Sequence, residues 1–171
     1  MTILKAPARY GFILALIVLM IDQGFKYVMI HVYDLPGRGR VVLTPFFDLV
    51  MVWNKGISYG LFQQDTALGR MVLLGITLLT VLALAIWLLR AQEVLLGLAL
   101  GFIIGGALGN AIDRWVHGAV ADFFSAHALG FHWYVFNLAD AAIVAGVALL
   151  LYDTLGGGNG KGHSPPPKGR S

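Results

Sequence analysis

Three carboxylates lie in apolar company in the second half of the chain. They are Asp113, Asp122 within Ala119-Val-Ala-Asp-Phe-Phe124, and Asp140 within Phe136-Asn-Leu-Ala-Asp-Ala-Ala-Ile-Val144. All three bracket one connection between apolar segments, which sets them at one membrane face. Two carboxylates entering a dry site from opposite ends of a connection can share a proton. Like charges in contact do not both ionise, so one stays protonated and the other ionised. That is the equipment of an aspartyl peptidase: one carboxylate takes a proton from water, and the other donates to the carbonyl oxygen and then to the leaving amine.

Each carboxylate also has a plainer reading. Asn137-x-x-Asp140 before an apolar run is a helix-start device similar to a capping box. Asp122 reads as a solvated loop carboxylate. Asn110, Asp113 and Arg114 share a helix face and read as an ion-pair and hydrogen-bond network. Asp22 and Lys26, four residues apart, read as a structural pair that neutralises itself.

Two other chemistries are suggested by pattern. Gly56-Ile-Ser58-Tyr-Gly60 matches the G-x-S-x-G nucleophile pattern but lies outside any strand–turn–helix setting. His117, His127 and His132 resemble part of a metal set, yet no H-E-x-x-H is present and Glu93 is the single glutamate. With no cysteine there is no disulfide, thiolate site or cysteine nucleophile.

The elements that must position these groups follow from composition. Of 171 residues, 58% are hydrophobic and 12% charged; soluble domains carry roughly 25% charged residues. A net charge of +3 without a Lys/Arg cluster gives no nucleic-acid footprint. A membrane helix needs about 20 mainly apolar residues, and four segments qualify, at about 10–31, 71–89, 94–112 and 133–152. The reading is an all-α membrane protein, a single four-helix domain over 1–155, with the first segment retained as a helix because no small-x-small cleavage site follows it. Both termini then share one side. Six basic residues on that side against five opposite leave a slight lean towards cytoplasmic termini.

The connections differ. The turn around Arg90-Ala-Gln-Glu93 makes a helical hairpin, whereas the 32–70 loop holds strand-like pieces, Arg40-Val-Val-Leu-Thr44 and Asp48-Leu-Val-Met-Val-Trp53, expected at the membrane surface. The 113–132 connection reads as polar. Gly97, Gly101, Gly105 and Gly109 form a bare ridge on the third span, for packing within the bundle or for a dimer. Residues 156–171, rich in Gly and Pro, read as a disordered tail.

Five ordered blocks together resemble lipoprotein signal peptidase, the signal peptidase II family of bacterial aspartyl peptidases. They are Asp22-Gln-Gly-Phe-Lys26, Trp53-Asn54-Lys-Gly56-Ile-Ser-Tyr-Gly60, Gly105-Gly-Ala-Leu-Gly-Asn110-Ala-Ile-Asp113-Arg114, Val120-Ala-Asp122-Phe-Phe and Phe136-Asn137-Leu-Ala-Asp140-Ala-Ala. The resemblance covers about residues 10–152; Ala121 stands where the family commonly has Val. It implies that Asp122 and Asp140 are catalytic, and that Asn54, Gly56, Asn110, Asp113, Arg114 and Asn137 support the site or contact substrate. It further implies a place in the bacterial inner membrane with the site near the outer face; separately, a monomer is expected. The substrate would be diacylglyceryl-modified prolipoprotein, cut before the lipidated cysteine, with membrane lipid as surroundings and no metal or organic cofactor. The contrasting readings are a non-enzymatic four-helix packing or transport protein, and a serine peptidase acting through Ser58.

Overall fold

The computed structural model describes residues 4–56 and 66–156. Ser58 and the tail from residue 157 lie outside the described residues. Among the described residues, four helices are long and apolar enough to cross a membrane. The first is α1 (Ala6–Tyr27), which carries Pro7 in its first turn, where its fixed φ suits a helix start, and runs on through a π-helical turn, Val28–Val32. A short helix α2 (Leu35–Arg38) follows, then strands β1 (Val41–Thr44) and β2 (Phe47–Asn54). Next come α3 (Ala67–Arg90) and α4 (Val94–His117), then strands β3 (Val120–Ala128) and β4 (Phe131–His132), and finally α5 (Leu138–Gly156).

Helix α4 is the axis of the bundle. Its most apolar stretch is 61% buried, against 6–22% for the other three spans. The glycine ridge explains why. A Cβ at Gly97 would strike the Pro7 backbone, one at Gly101 would lie 2.5 Å from the Gly11 carbonyl oxygen, and one at Gly105 would lie 2.6 Å from that of Ala15. The ridge therefore seats α1 within the bundle. On another face, Gly106 makes room for the Ala139 carbonyl of α5.

The third span is longer than its hydropathy suggests. The helix continues through Asp113 and Arg114 to His117 and ends on Gly118, whose φ of +72° closes it in the left-handed region. Charge ends a hydropathy window but not a helix when the charges find partners inside the bundle. The second span likewise begins earlier, at Ala67, because Thr66 Oγ1 accepts the Gly69 N–H at 3.1 Å and caps it.

The sheet is antiparallel, in the order β1-β2-β3-β4. The strands expected in the first long loop are present as β1 and β2. The second connection, read as polar, supplies β3 and β4. Val120–Phe123 are all buried, so this stretch lacks the alternation that marks a strand with one wet face. Met29, Leu35, Ala121 and Phe123 form a core between the sheet and the end of α1. A register shift between Leu49 and Val52 brings Val52 opposite Asp122 and Asn54 opposite Val120.

Candidate active site

Asp122 is not a solvated loop carboxylate. It sits on β3 with 1% exposure. Oδ1 accepts a bond from Asn137 Nδ2 at 2.7 Å, and Oδ2 accepts one from Asn54 Nδ2 at 3.1 Å. Asp140 occupies the first turn of α5, half-buried. Its backbone N–H donates to Asn137 Oδ1 at 2.9 Å, while its Oδ2 accepts the Asn137 N–H at 3.3 Å. The reciprocal cap anticipated for this helix start is thus formed. It leaves Asp140 Oδ1 to accept from Asn110 Nδ2 at 2.8 Å. Capping and site membership coexist in one side chain.

Two asparagines join the carboxylates. Besides holding Asp122, Asn137 Nδ2 donates to Asn110 Oδ1 at 3.1 Å, and Asn110 holds Asp140. Asn137 is 0% exposed and Asn110 7%, so neither amide can exchange its partners for water without cost. Asn54 ties in the loop as well, since its Oδ1 accepts the Gly56 N–H at 3.0 Å.

Beneath this layer lies a buried ion cluster. Lys26 Nζ contacts Asp22 Oδ2 and Asp113 Oδ2, each at 2.8 Å, and donates to Asn110 Oδ1 at 3.3 Å. The Asp22–Lys26 pair is therefore not self-contained; one ammonium serves two carboxylates. Nor does Asp113 pair with Arg114, as the sequence suggested: its cation is Lys26. Arg114 instead turns its guanidinium to carbonyls, donating from Nη1 to Asn110 O at 3.2 Å and from Nη2 to Gly56 O at 2.9 Å. Neighbouring helical residues point about 100° apart around the axis, which sends Asp113 and Arg114 to different partners. Gln23, unremarked in the sequence although it lies between Asp22 and Lys26, donates from Nε2 to Asp113 Oδ1 at 3.0 Å and to Gly109 O at 3.2 Å. Its only signal was a polar amide inside an apolar span.

Each lower carboxylate also holds backbone next to an upper one. Asp113 Oδ2 accepts the Ala121 N–H at 3.0 Å, one residue before Asp122. Asp22 Oδ1 accepts the Ala139 N–H at 3.0 Å, one residue before Asp140.

Burial pushes the Asp122 carboxyl up, and the charge of Asp140 adds to this; the bonds from Asn54 and Asn137 and the charge of Lys26 oppose it. The result is a pKa of about 7, so both protonation states are populated near neutrality. Asp140 lines a cavity of about 290 Å³ between α3, α4 and α5. Asn54, Asn110 and Arg114 form its polar end, while Ile76, Ile103 and Ile143 are among its apolar walls. The arrangement offers a carboxylate, amides and a guanidinium at the polar end of an apolar recess.

The histidines go elsewhere. His117 packs on Trp53, ring centroids 5.0 Å apart, and His127 Nε2 lies 2.8 Å from Asp48 Oδ2. Among the described residues no group of three His, Asp or Glu side chains is placed to hold a metal ion. Asp48 is a further buried carboxylate, at 1% exposure, gripped also by Arg40 Nε at 2.9 Å. Burial pushes its pKa up, but Arg40 and His127 outweigh that and hold it below the usual carboxylate range.

The fold is a four-span membrane bundle whose carboxylates Asp122 and Asp140 are linked through Asn137 and Asn110 where a sheet covers its end. Comparison makes the family specific. The family model described as signal peptidase (SPase) II matches residues 14–156. The lipoprotein signal peptidase of Beijerinckia indica subsp. indica is 51% identical over 166 residues, covering 97% of this chain and 99% of its own. That of Methylobacterium sp. (strain 4-46) is 54% identical over 149 residues, covering 87% and 90%. A bacterial membrane enzyme solved by the in meso method at 2.3 Å shares the fold with a TM-score of 0.79 at 24% identity, covering 92% of this chain and 94% of its own. The chain belongs to the signal peptidase II family and is a membrane peptidase.

Proposed function

We propose that the chain is an aspartic-type endopeptidase that removes signal peptides from diacylglyceryl-modified prolipoproteins, cutting before the lipidated cysteine. The observation that carries this reading is the Asp122–Asn137–Asn110–Asp140 chain of hydrogen bonds, two of whose members, Asn110 and Asp140, line the apolar cavity. Family membership supplies the substrate class. The termini lie in the cytoplasm and the sheet faces outward from the bacterial inner membrane. The chain acts as a monomer, a reading supported by the packing of the glycine ridge against α1 rather than against a second copy.

The reaction needs one proton shared by the two aspartates. The ionised member takes a proton from water as the oxygen attacks the scissile carbonyl carbon; the protonated member gives its proton to the carbonyl oxygen. Collapse of the tetrahedral intermediate breaks the C–N bond as one hydroxyl proton of the intermediate returns to the carboxylate that had protonated the carbonyl oxygen, which passes it to the leaving amine. The pair returns to its starting charge with one water consumed. Arg114 and Asn110, both lining the cavity, hold substrate carbonyls. The signal peptide lies along the α3–α5 side, and the acyl chains remain in lipid.

The test uses purified full-length protein with a diacylglyceryl-modified precursor, its unmodified counterpart, and mass spectrometry of the products. The expected result is a new N-terminus at the lipidated cysteine and no cleavage of the unmodified precursor. Loss of activity in Ser58→Ala with full retention in Asp122→Asn would overturn the aspartic assignment. No cleavage by any version would favour a packing or transport role.

A further inference from the structure

The sheet-bearing end of the bundle has a second opening, on a different flank of the α3–α4 contact from the Asp140 cavity. A cleft of about 380 Å³ lies between the first turns of α3 and the last turn of α4. Its charged side chains are Arg70 and Arg114, and no Asp or Glu lines it among the described residues. Arg70 is half-buried, and its side chain makes no hydrogen bond or ion pair among the described residues. Its guanidinium lies over Gly118, where a Cβ would run into Nη1. The residue that ends α4 with a positive φ thus also leaves the space Arg70 occupies.

Directly inward, an apolar groove of about 210 Å³ runs between α3 and α4, lined by Leu74, Leu78, Leu108, Ala111, Ile112 and Trp115. Leu74 and Trp115 line both openings, so cleft and groove are continuous. From Arg70 to Leu78 the helix advances about 12 Å. Trp115 is 73% exposed where they meet, as suits an indole at a lipid–water boundary.

A pocket with a cationic head and an apolar tail matches one ligand chemistry. We propose that it binds one anionic glycerophospholipid of the surrounding leaflet, with the phosphate on Arg70 and one acyl chain between α3 and α4. A guanidinium fits a phosphodiester through paired N–H donors. A zwitterionic headgroup adds a cation beside Arg114, and an uncharged diacylglyceryl group leaves Arg70 without a counter-charge. Arg114 lines both this cleft and the Asp140 cavity, so the lipid forms part of the wall of the proposed site. The lipid site itself requires only the membrane fold, and its test needs no substrate.

Native mass spectrometry of the detergent-solubilised full chain can read this directly. The protein is titrated with dioleoyl phosphatidylglycerol, dioleoyl phosphatidylcholine, glycerol phosphate and inorganic phosphate. Wild type should retain a single phosphatidylglycerol at least about tenfold more tightly than phosphatidylcholine, the scale of one charge-assisted hydrogen bond. Arg70→Gln should erase that preference, and Arg70→Lys should keep part of it. Leu78→Trp, at a site facing the groove, should weaken both lipids. Equal retention of the two lipids by wild type, or an unchanged preference in a folded Arg70→Gln, would overturn the proposal. Displacement of the lipid by millimolar inorganic phosphate would also overturn it, revealing a free-anion site. The wild-type and phosphate arms decide the matter even if Arg70→Gln does not fold.

Discussion

Asp22 Oδ1 accepts the backbone N–H of Ala139 at 3.0 Å, joining residues 117 positions apart and pinning the chain one step before Asp140. Asp113 does the same for Ala121, one step before Asp122. Because Lys26 contacts both lower carboxylates, a single ammonium links the two backbone anchors. The position of Asp122 relative to Asp140 thus depends on a residue that touches neither.

Lys26→Met should expose that dependence. Removing one partner of a buried ion cluster leaves uncompensated charge and costs about 3–5 kcal/mol. The expected result is a large fall in melting temperature in detergent, partly restored by adding Asp22→Asn. Wild-type stability in Lys26→Met alone would mean that the cluster does not hold the bundle together.

The glycine ridge offers a separate check. Gly101→Leu forces a side chain into the Gly11 backbone, and overpacking of this kind costs about 1–3 kcal/mol or more. Thermal unfolding should move down without a change in mass by light scattering. A variant that kept its melting temperature but changed oligomeric state would assign the ridge to a dimer.

The Asp48 clamp predicts an acid-sensitive sheet. Its folded pKa is depressed, so its stabilising contribution is present above the unfolded value of about 3.9. That contribution is lost as pH falls through the lower folded value. Amide protection factors in β1 and β2, which correct for the intrinsic exchange rate, should therefore fall at acid pH in wild type. In Asp48→Asn they should be lower throughout and lose that acid dependence. An unaltered acid response in the variant would place the sensitive group elsewhere.

Much of this architecture was legible in the sequence. Long uncharged runs leave little choice but spans, and the i,i+4 spacing brought Asp22 to Lys26. The Asn137-x-x-Asp140 pattern likewise announced its cap. What stayed hidden depended on distant partners. Nothing local says that Asp113 turns to Lys26 rather than to adjacent Arg114, because the choice follows from how α1 seats on the glycine ridge. β3 was concealed by its own burial, which removes the two-residue alternation. The Arg70 cleft was invisible because it forms only where the start of α3 meets Gly118.

Asn54 should tune the proposed acid–base pair. Its bond to Asp122 favours the ionised form and lowers the pKa. Removing it in Asn54→Ala raises that pKa further, so the alkaline limb of the pair's pH–rate profile should move to higher pH. The limbs are properties of the coupled pair. A limb that stayed fixed, or moved to lower pH, would contradict this electrostatic picture.

The most direct measurement is the turnover of purified Asp122→Asn, Asp140→Asn and Asp113→Asn on the lipid-modified precursor across the full pH range. Either Asp122→Asn or Asp140→Asn should reduce kcat by roughly 10²–10⁴-fold at every pH, the scale of lost general acid–base catalysis. Asp113→Asn should lower activity through its Ala121 anchor yet keep both limbs of the profile. If Asp113→Asn instead removed one limb while Asp122→Asn continued to turn over, the catalytic pair would be Asp113 with Asp140.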